Sequence, residues 1–315
     1  METKNKISKK LLYLNAVVAG LIVVFSFAIY FRANQSQKRI SNENKEQTLH
    51  NATFQKLPIL AKSVYVYDAG NDKVIFEKNS DTQFPLASLS KLMMALTASD
   101  LLPADSKITI RKEFLGEVGD TGLLANETWR LRDLLDFSLV VSSNDGARSV
   151  ASVIGAINLG TSDFDLGRKE FISLMNKKAI EIGLTQTYYI NENGLDIENF
   201  SGGYGTAKDV AKLFQYLIKN KPEIVEVTKY KTLTVDSFSK SHTVNNTNKE
   251  IEGISGVIGS KTGYTSQAGG NLVVAYDVSI GRPVIVVVMG STLDGRFSDV
   301  KLLVDASLEY LRSGE

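Results

Sequence analysis

Ser88 and Lys91 lie three residues apart, a spacing that puts a hydroxyl and an amine on one face of a helix. Such a pair can act as a nucleophile and its general base, because a neutral lysine amine can accept the serine proton. The chain has no cysteine and only two histidines, His50 and His242. This composition excludes a cysteine nucleophile, thiolate metal sites and iron–sulfur clusters, and it leaves little for a Ser-His-Asp triad. We therefore expect hydrolytic chemistry to use a base other than histidine.

The S-x-x-K pattern alone is weak evidence, since it occurs again at Ser237–Lys240 and at Ser298–Lys301. The first of these lies in a polar stretch without apolar periodicity, and the second begins the predicted terminal helix. Both are expected to be solvated surface, and His242, which follows the first, is expected to be solvated as well.

Two further motifs give Ser88 a chemical context. Ser142-Ser143-Asn144 follows Ser88 by 54 residues (142 − 88), and Lys261-Thr262-Gly263 follows Ser142 by 119 residues (261 − 142). S-x-N and K-T-G each occur once in the chain. The ordered set S-x-x-K, S-x-N and K-T-G is the motif set of penicillin-binding proteins and class A β-lactamases. The sequence therefore predicts that three distant stretches converge on one cleft.

The chain resembles the low-molecular-mass penicillin-binding proteins of the serine D-alanyl-D-alanine carboxypeptidase family. The resemblance extends over essentially the whole region after residue 56. It is carried by the stretches SVYVYDAGNDKVIFEKNSDTQFPLASLSKLM, LLDFSLVVSSNDGARSVA, FISLMNKKAIEIGLTQTYYINENGLD and SKTGYTSQAGGNLVVAY. The resemblance implies removal of the terminal D-Ala from peptidoglycan stem peptides through an acyl-enzyme. It also implies covalent inhibition by β-lactam antibiotics.

The resemblance assigns chemical roles to the first two motifs. It implies that Ser88 is the acylated nucleophile and Lys91 the base that activates it. Ser142 would relay a proton toward the leaving group, and Asn144 would hold the substrate's peptide carbonyl or side chain. The oxyanion hole would be formed by the backbone N–H groups of Ser88 and Tyr264.

The third motif is implied to bind the substrate. Lys261 and Thr262 would receive the terminal carboxylate, and Gly263 would continue the same strand beside the site. Arg296 is a further candidate contact for the carboxylate, with an ordinary surface arginine as the alternative. No metal ion or organic cofactor is implied.

A lysine base makes a physical demand on its surroundings. The reference pKa of lysine is about 10.4, so deprotonation near neutral pH costs about 5 kcal/mol unless the site lowers that pKa. Burial and a nearby second cation both lower it. We therefore predict that Lys91 is buried and lies within several ångströms of Lys261.

The elements around these motifs predict an α+β fold, in which a mostly antiparallel sheet of N- and C-terminal strands is flanked by helices. Predicted strands are 63–67, 73–77, 257–262, 271–276 and 283–289. Predicted helices are 88–101, 131–140, 169–182, 206–218 and 298–311. The fold class resembles the β-lactamase and transpeptidase group.

The N-terminal region predicts a membrane anchor. Residues 11–31 are uncharged and span about 31 Å as a helix, which matches the hydrocarbon core of a bilayer. Four lysines lie in the preceding residues 1–10, so this tail is expected in the cytoplasm and the rest outside the plasma membrane. Residues 32–56 are expected to be a flexible spacer and 57–315 the catalytic domain. A cleaved signal peptide and a buried core helix are the alternatives.

Charge and motif content narrow the partners. The formal net charge of +1 argues against a nucleic-acid binder. Expected partners are a peptidoglycan stem peptide, β-lactams as covalent inhibitors, and a lipid bilayer through residues 11–31. A DD-endopeptidase would use the same groups. A class A-like β-lactamase is a rival that lacks support, because no E-x-x-L-N segment lies between Ser142 and Lys261. A non-catalytic peptidoglycan or β-lactam sensor is the remaining alternative.

Overall fold

A five-stranded antiparallel sheet organises the structure. Its strands are β1 (Ser63–Asp68), β2 (Lys73–Lys78), β10 (Val257–Thr265), β11 (Gly269–Ser279) and β12 (Arg282–Ser291), in the order β10-β11-β12-β1-β2. The N-terminal and C-terminal parts of the chain meet where Ser63 pairs with Met289. The predicted antiparallel sheet, built from both ends of the chain, is confirmed.

The computed structural model describes residues 25, 27, 30–32, 34, 35, 37–39, 53–119 and 122–313. Leu57–Leu311 forms one compact unit, and Met1–Lys56 with Arg312–Glu315 forms another. Most of the predicted span 11–31 lies outside the described residues; the few described within it, such as Phe25 and Tyr30, are helical. No helix in the described part of the chain is long and apolar enough to cross a bilayer.

The sheet is covered on both faces. The run from Val284 to Met289 in β12 is fully buried, as expected for a strand with protein on either side. Helix α5 (Ala207–Asn220) packs against one face. Helix α7 (Gly295–Ser313) covers the other face, where Tyr276 of β11 shares a hydrogen bond with Ser307.

Most of the remaining helices pack against α1 (Ser90–Leu101), which is buried from Ser90 to Ala98. A helix buried on all sides belongs in a core, and α1 therefore forms a rigid support for the nucleophile. The other helices are α2 (Leu131–Val140), α3 (Asn144–Leu159), α4 (Phe164–Glu181) and α6 (Pro222–Glu226). Short strands are β3 (Phe84–Pro85), β4 (Lys107–Thr109), β5 (Thr128–Arg130), β6 (Tyr188–Tyr189), β7 (Gly203–Gly205), β8 (Thr232–Asp236) and β9 (Ser241–Asn245).

All the predicted helices are present, but several of their bounds differ. Helix α1 begins at Ser90 rather than at 88, α7 begins at Gly295 rather than at 298, and the five-residue α6 was not predicted. Helix α4 begins at Phe164 rather than at 169, because Asp163 caps it by accepting from the amides of Asp165 and Leu166. Helix α3 was not predicted, since its small residues weaken the apolar period. One of them, Gly155, packs so closely on α4 that a Cβ there would lie 1.8 Å from a backbone oxygen.

The predicted exposure of His242 and Ser237 is wrong. The His242 ring is buried between Trp129 and Phe137, and its Nε2 lies 2.8 Å from Glu127 Oε1. Ser237 is also buried and donates to the same carboxylate at 3.1 Å. The polar run forms the β8–β9 hairpin, and its inward-facing residues Ser237 and His242 both form hydrogen bonds with Glu127.

Candidate active site

Ser88 lies in a short 3₁₀ turn, Ala87–Leu89, that leads directly into α1. The residue before it, Ala87, has a φ of 48°, a left-handed conformation that is uncommon for a residue with a Cβ. The segment is held from the sheet, because Asn271 Nδ2 donates to Pro85 O at 2.8 Å and to Leu86 O at 3.1 Å. The backbone that leads to Ser88 is thus held in place by hydrogen bonds from the sheet.

Lys91 projects from α1 toward Ser88 and is completely buried (0% exposed). Its Nζ lies 2.9 Å from Ser88 Oγ, and it donates to Asn144 Oδ1 at 2.6 Å and to Asn193 O at 2.8 Å. A neutral amine has two N–H groups and one lone pair. When the amine is neutral and donates its two N–H groups to the two carbonyl oxygens, its lone pair is left for the Ser88 hydroxyl.

The pKa of Lys91 is lowered from 10.5 to about 7. Burial is the cause, because a desolvated ammonium is unfavourable, and the negative charges of Glu192 and Glu117 act in the opposite direction. The predicted burial of Lys91 is confirmed. The predicted interaction with a second cation appears at Lys261, whose pKa the positive charge of Lys91 lowers.

The S-x-N motif turns the chain between α2 and α3. Ser142 has a φ of 61°, and Ser143 caps α3 by accepting from the Gly146 amide at 3.0 Å. Asn144 is oriented by its Nδ2, which donates to Val118 O at 2.6 Å. Because that nitrogen is used, the Asn144 oxygen must face Lys91, as the Lys91 bond requires.

Lys261 of β10 reaches the same motif. Its Nζ is buried (1% exposed) and donates to Ser142 Oγ and to Thr262 O, both at 2.9 Å. Burial lowers the pKa of Lys261 well below its ordinary value, and the positive charges of Lys91 and Arg296 lower it further. The three motifs therefore converge, as the sequence predicted.

The K-T-G strand passes close to the nucleophile. A Cβ built on Gly263 would lie 3.1 Å from the Ser88 nitrogen, so glycine permits this approach. Thr262 Oγ1 donates to Thr247 Oγ1 at 2.6 Å. Tyr264 is half-exposed at the rim.

Arg296 lies at the beginning of α7 beside this strand. It is buried (7% exposed), and its Nη1 donates to Gly263 O at 2.6 Å. The alternative of an ordinary surface arginine is therefore wrong. Its Nε is buried and has no hydrogen-bond partner among the described residues.

Several residues at the site were not predicted. Asn193 contributes a backbone oxygen, which no side-chain motif reveals. Behind it, Glu192 is buried and receives two hydrogen bonds from Arg168, each at 2.9 Å. The sequence predicts Asn271 only as the beginning of a strand, and it does not single out Thr247.

The fold and the site define a serine hydrolase of the penicillin-recognising class, with a buried lysine beside its nucleophile. Residues 48–292 match the model of the D-alanyl-D-alanine carboxypeptidase family, and the chain belongs to that family.

Individual relatives support the same assignment. The carboxypeptidase DacB2 of Mycobacterium tuberculosis is 28% identical over 242 residues, covering 75% of this chain and 77% of that protein. A D-alanyl-D-alanine endopeptidase of Escherichia coli is 30% identical over 252 residues, covering 76% and 74%. An ampicillin-bound penicillin-binding protein of Listeria monocytogenes superposes with a TM-score of 0.66 at 30% identity, over 80% of this chain and 98% of that one.

Proposed function

We propose that this chain removes the terminal D-Ala from peptidoglycan stem peptides, with Ser88 as the nucleophile and Lys91 as its base. The observation that carries the proposal is the set of three partners around Lys91 Nζ. Two carbonyl oxygens occupy its N–H groups, and Ser88 Oγ lies 2.9 Å away in the remaining direction.

Acylation follows from this arrangement. Lys91 takes the Ser88 proton while Oγ attacks the carbonyl carbon of the penultimate D-Ala, and the C–N bond to the terminal residue breaks. Ser142 relays that proton from Lys91 to the leaving nitrogen, so both side chains return to their starting protonation state. Lys261, which donates to Ser142 Oγ, orients that hydroxyl. The backbone N–H groups of Ser88 and Tyr264 would stabilise the oxyanion.

The terminal carboxylate would bind at the corner formed by Thr262 and Arg296. Arg296 Nε, which has no hydrogen-bond partner within the described residues, would be a donor for such a group. An incoming carboxylate would also raise the pKa of Lys261 again, because opposite charges stabilise each other in a buried site. Asn144 would hold the peptide on the other side of the nucleophile.

Water then hydrolyses the acyl-enzyme and restores Ser88. A β-lactam would acylate the same serine, but its opened ring keeps the amine attached, so no leaving group departs. Ampicillin in the Listeria relative is consistent with this expectation. The chain carries no E-x-x-L-N segment between Ser142 and Lys261, which disfavours a β-lactamase. The complete catalytic set disfavours a sensor without activity.

Hydrolysis of peptide cross-links is a second candidate function. It is favoured by the relatives named as endopeptidases, and it requires the same nucleophile and base. The two activities differ only in what is attached to the leaving nitrogen.

The N-terminal segment would anchor the enzyme. The uncharged residues 11–31 after a lysine-rich tail support a single span, with the catalytic domain outside the plasma membrane and residues 32–56 as a spacer. Alkaline carbonate extraction of membranes tests this: a spanning protein stays with the bilayer. Release of the full-length chain, or a mature chain that begins after residue 31, would contradict the anchor.

Release of D-Ala from a pentapeptide ending in D-Ala-D-Ala tests the reaction. The wild type should release D-Ala, and Ser88→Ala should lose the activity. Ser173→Ala is the matched control, because Ser173 is an exposed serine on α4 that belongs to none of the three motifs. Undiminished release by Ser88→Ala would refute the assignment.

A further inference from the structure

A second pocket lies beyond the corner formed by Thr262 and Arg296. It has a volume of about 380 Å³ and lies between the loop that begins at Asn248 and the first turns of α7. We call it the Asn248 pocket. Its lining includes Asn248, Ile254, Leu272, Phe297, Ser298 and Val300. None of these residues takes part in the proposed acylation.

Asn248 indicates what the pocket binds. Its side chain is 1% exposed, and neither Nδ2 nor Oδ1 has a hydrogen-bond partner within the described residues. An unpaired buried amide is costly, and native structures rarely keep one without a reason. A group that offers one acceptor and one donor would satisfy both atoms, and a peptide bond does so.

The charges at the rim fit a peptide as well. Lys249 and Asp294 form an ion pair at 2.9 Å, and both are mostly exposed. Glu250 and Lys301 also line the opening. Charges of both signs beside an apolar floor suit a peptide that carries both carboxylate and amino groups, rather than a lipid or a polyanion.

The pocket shares its walls with the catalytic cleft. Thr247, which accepts the Thr262 hydroxyl hydrogen bond, immediately precedes Asn248. Arg296, which donates to Gly263 O, immediately precedes Phe297. In each of these two segments, one residue contacts the K-T-G strand and the next residue lines the pocket.

We infer that the Asn248 pocket is a subsite for the leaving group, and that it binds the second peptide of a cross-linked substrate. This inference rests on the proposed function, which puts the carboxylate of the leaving residue at Thr262 and Arg296. A free D-Ala ends at that corner. A leaving residue that continues into a second peptide extends beyond it, where the pocket begins.

Cleavage of such a cross-link forms and breaks the same kinds of bond, and moves the same proton, as the release of D-Ala. The Ser88 Oγ–C bond forms, the amide C–N bond of the cross-link breaks, and the Ser88 proton ends on the leaving nitrogen. Water then hydrolyses the ester and restores the Ser88 hydroxyl. The pocket adds affinity for the departing peptide and no chemical step.

Two substitutions test the pocket with little risk to the fold. Asn248→Leu keeps a similar size and removes no hydrogen bond that the side chain makes within the described residues. Gly253→Leu narrows the pocket, since Gly253 lines it and a Cβ there meets no atom within 4 Å. Asn158→Leu, at an exposed position on α3, is the matched control for the asparagine change.

The experiment compares kcat/KM for a cross-linked muropeptide dimer with kcat/KM for a D-Ala-D-Ala pentapeptide, using the full chain in detergent. We expect Asn248→Leu and Gly253→Leu each to lower the dimer-to-pentapeptide ratio by about tenfold. Asn158→Leu should leave it unchanged. Thermal unfolding of Asn248→Leu should show no loss of Tm; a clear fall would mean that the amide is used within the protein, and would overturn the inference.

The outcomes separate the two proposals. Suppose that the wild type is acylated by penicillin and releases D-Ala from the pentapeptide. If it does not cleave the dimer, or if both variants have the same dimer-to-pentapeptide ratio as the wild type, the subsite is refuted and the carboxypeptidase assignment stands. The same result is expected if the pocket binds something else, such as a second copy of the chain. If the wild type neither reacts with penicillin nor trims the pentapeptide, both proposals fail.

Discussion

The rate at which Ser88 is acylated should rise as Lys91 loses its proton. Burial lowers the pKa of Lys91 from 10.5 to about 7, which corresponds to about 5 kcal/mol of differential stabilisation of the neutral amine. Only the neutral amine has a lone pair for the serine proton. The second-order rate constant of β-lactam acylation should therefore rise with pH, reach half of its plateau near pH 7 and level off about one pH unit higher. At pH 6 it should be about one-tenth of the plateau.

A charge change near Lys91 should move this profile without removing the nucleophile or its base. The carboxylate of Glu192 raises the pKa of Lys91, in opposition to burial. Glu192→Gln removes that negative charge, so the inflection should shift to lower pH. Glu181→Gln is the control, because Glu181 lies on α4 with Arg168 but is not among the charges that act on Lys91.

Stopped-flow measurement of fluorescent penicillin labelling, from about pH 5 to about pH 9, checks both expectations. A rate independent of pH over this range would refute the neutral-lysine base. An inflection near the ordinary lysine value would do the same. A shift of the Glu192→Gln inflection to higher pH would contradict the electrostatic reasoning.

Two further substitutions test how the nucleophile is held. Asn271→Leu should lower the Tm by ~4–8 °C in thermal unfolding, because Pro85 O, Leu86 O and the Gly290 amide lose a buried partner worth about 2 kcal/mol; an unchanged Tm would contradict this. Gly194→Ala should reduce penicillin acylation by about 100-fold or more, since its Cβ would lie 1.8 Å from Ala87 O. Gly116→Ala also has a positive φ but meets no atom within 4 Å, and it should keep its acylation rate.

The catalytic motifs could be predicted because each is short and local. Ser88 and Lys91 lie three residues apart, in the 3₁₀ turn and in the helix that directly follows it. A buried base follows from the pKa that the chemistry needs. The identity of the third Lys91 contact could not be predicted, because Asn193 contributes only its backbone oxygen. That position depends on how the chain folds after α4, which no local pattern specifies.

Burial of polar residues was the main error at the sequence level. His242 lies in a polar run, and its alternation with Val244 on β9 was too short to indicate an inward face. Glu127, which is distant in sequence, forms a hydrogen bond with the His242 ring and so offsets the free-energy cost of burying it. Arg296 is buried for a similar reason, since Gly263 O accepts from it. Such partners become visible only when the two stretches are in contact.

The central claim is that Ser88 forms the acyl-enzyme. Peptide-mapping mass spectrometry of the full chain after penicillin treatment tests it most directly. We expect one penicilloyl adduct on the peptide that contains Ser88, and no adduct in Ser88→Ala. An adduct on Ser142 or elsewhere in the wild type, or labelling that persists in Ser88→Ala, would contradict it.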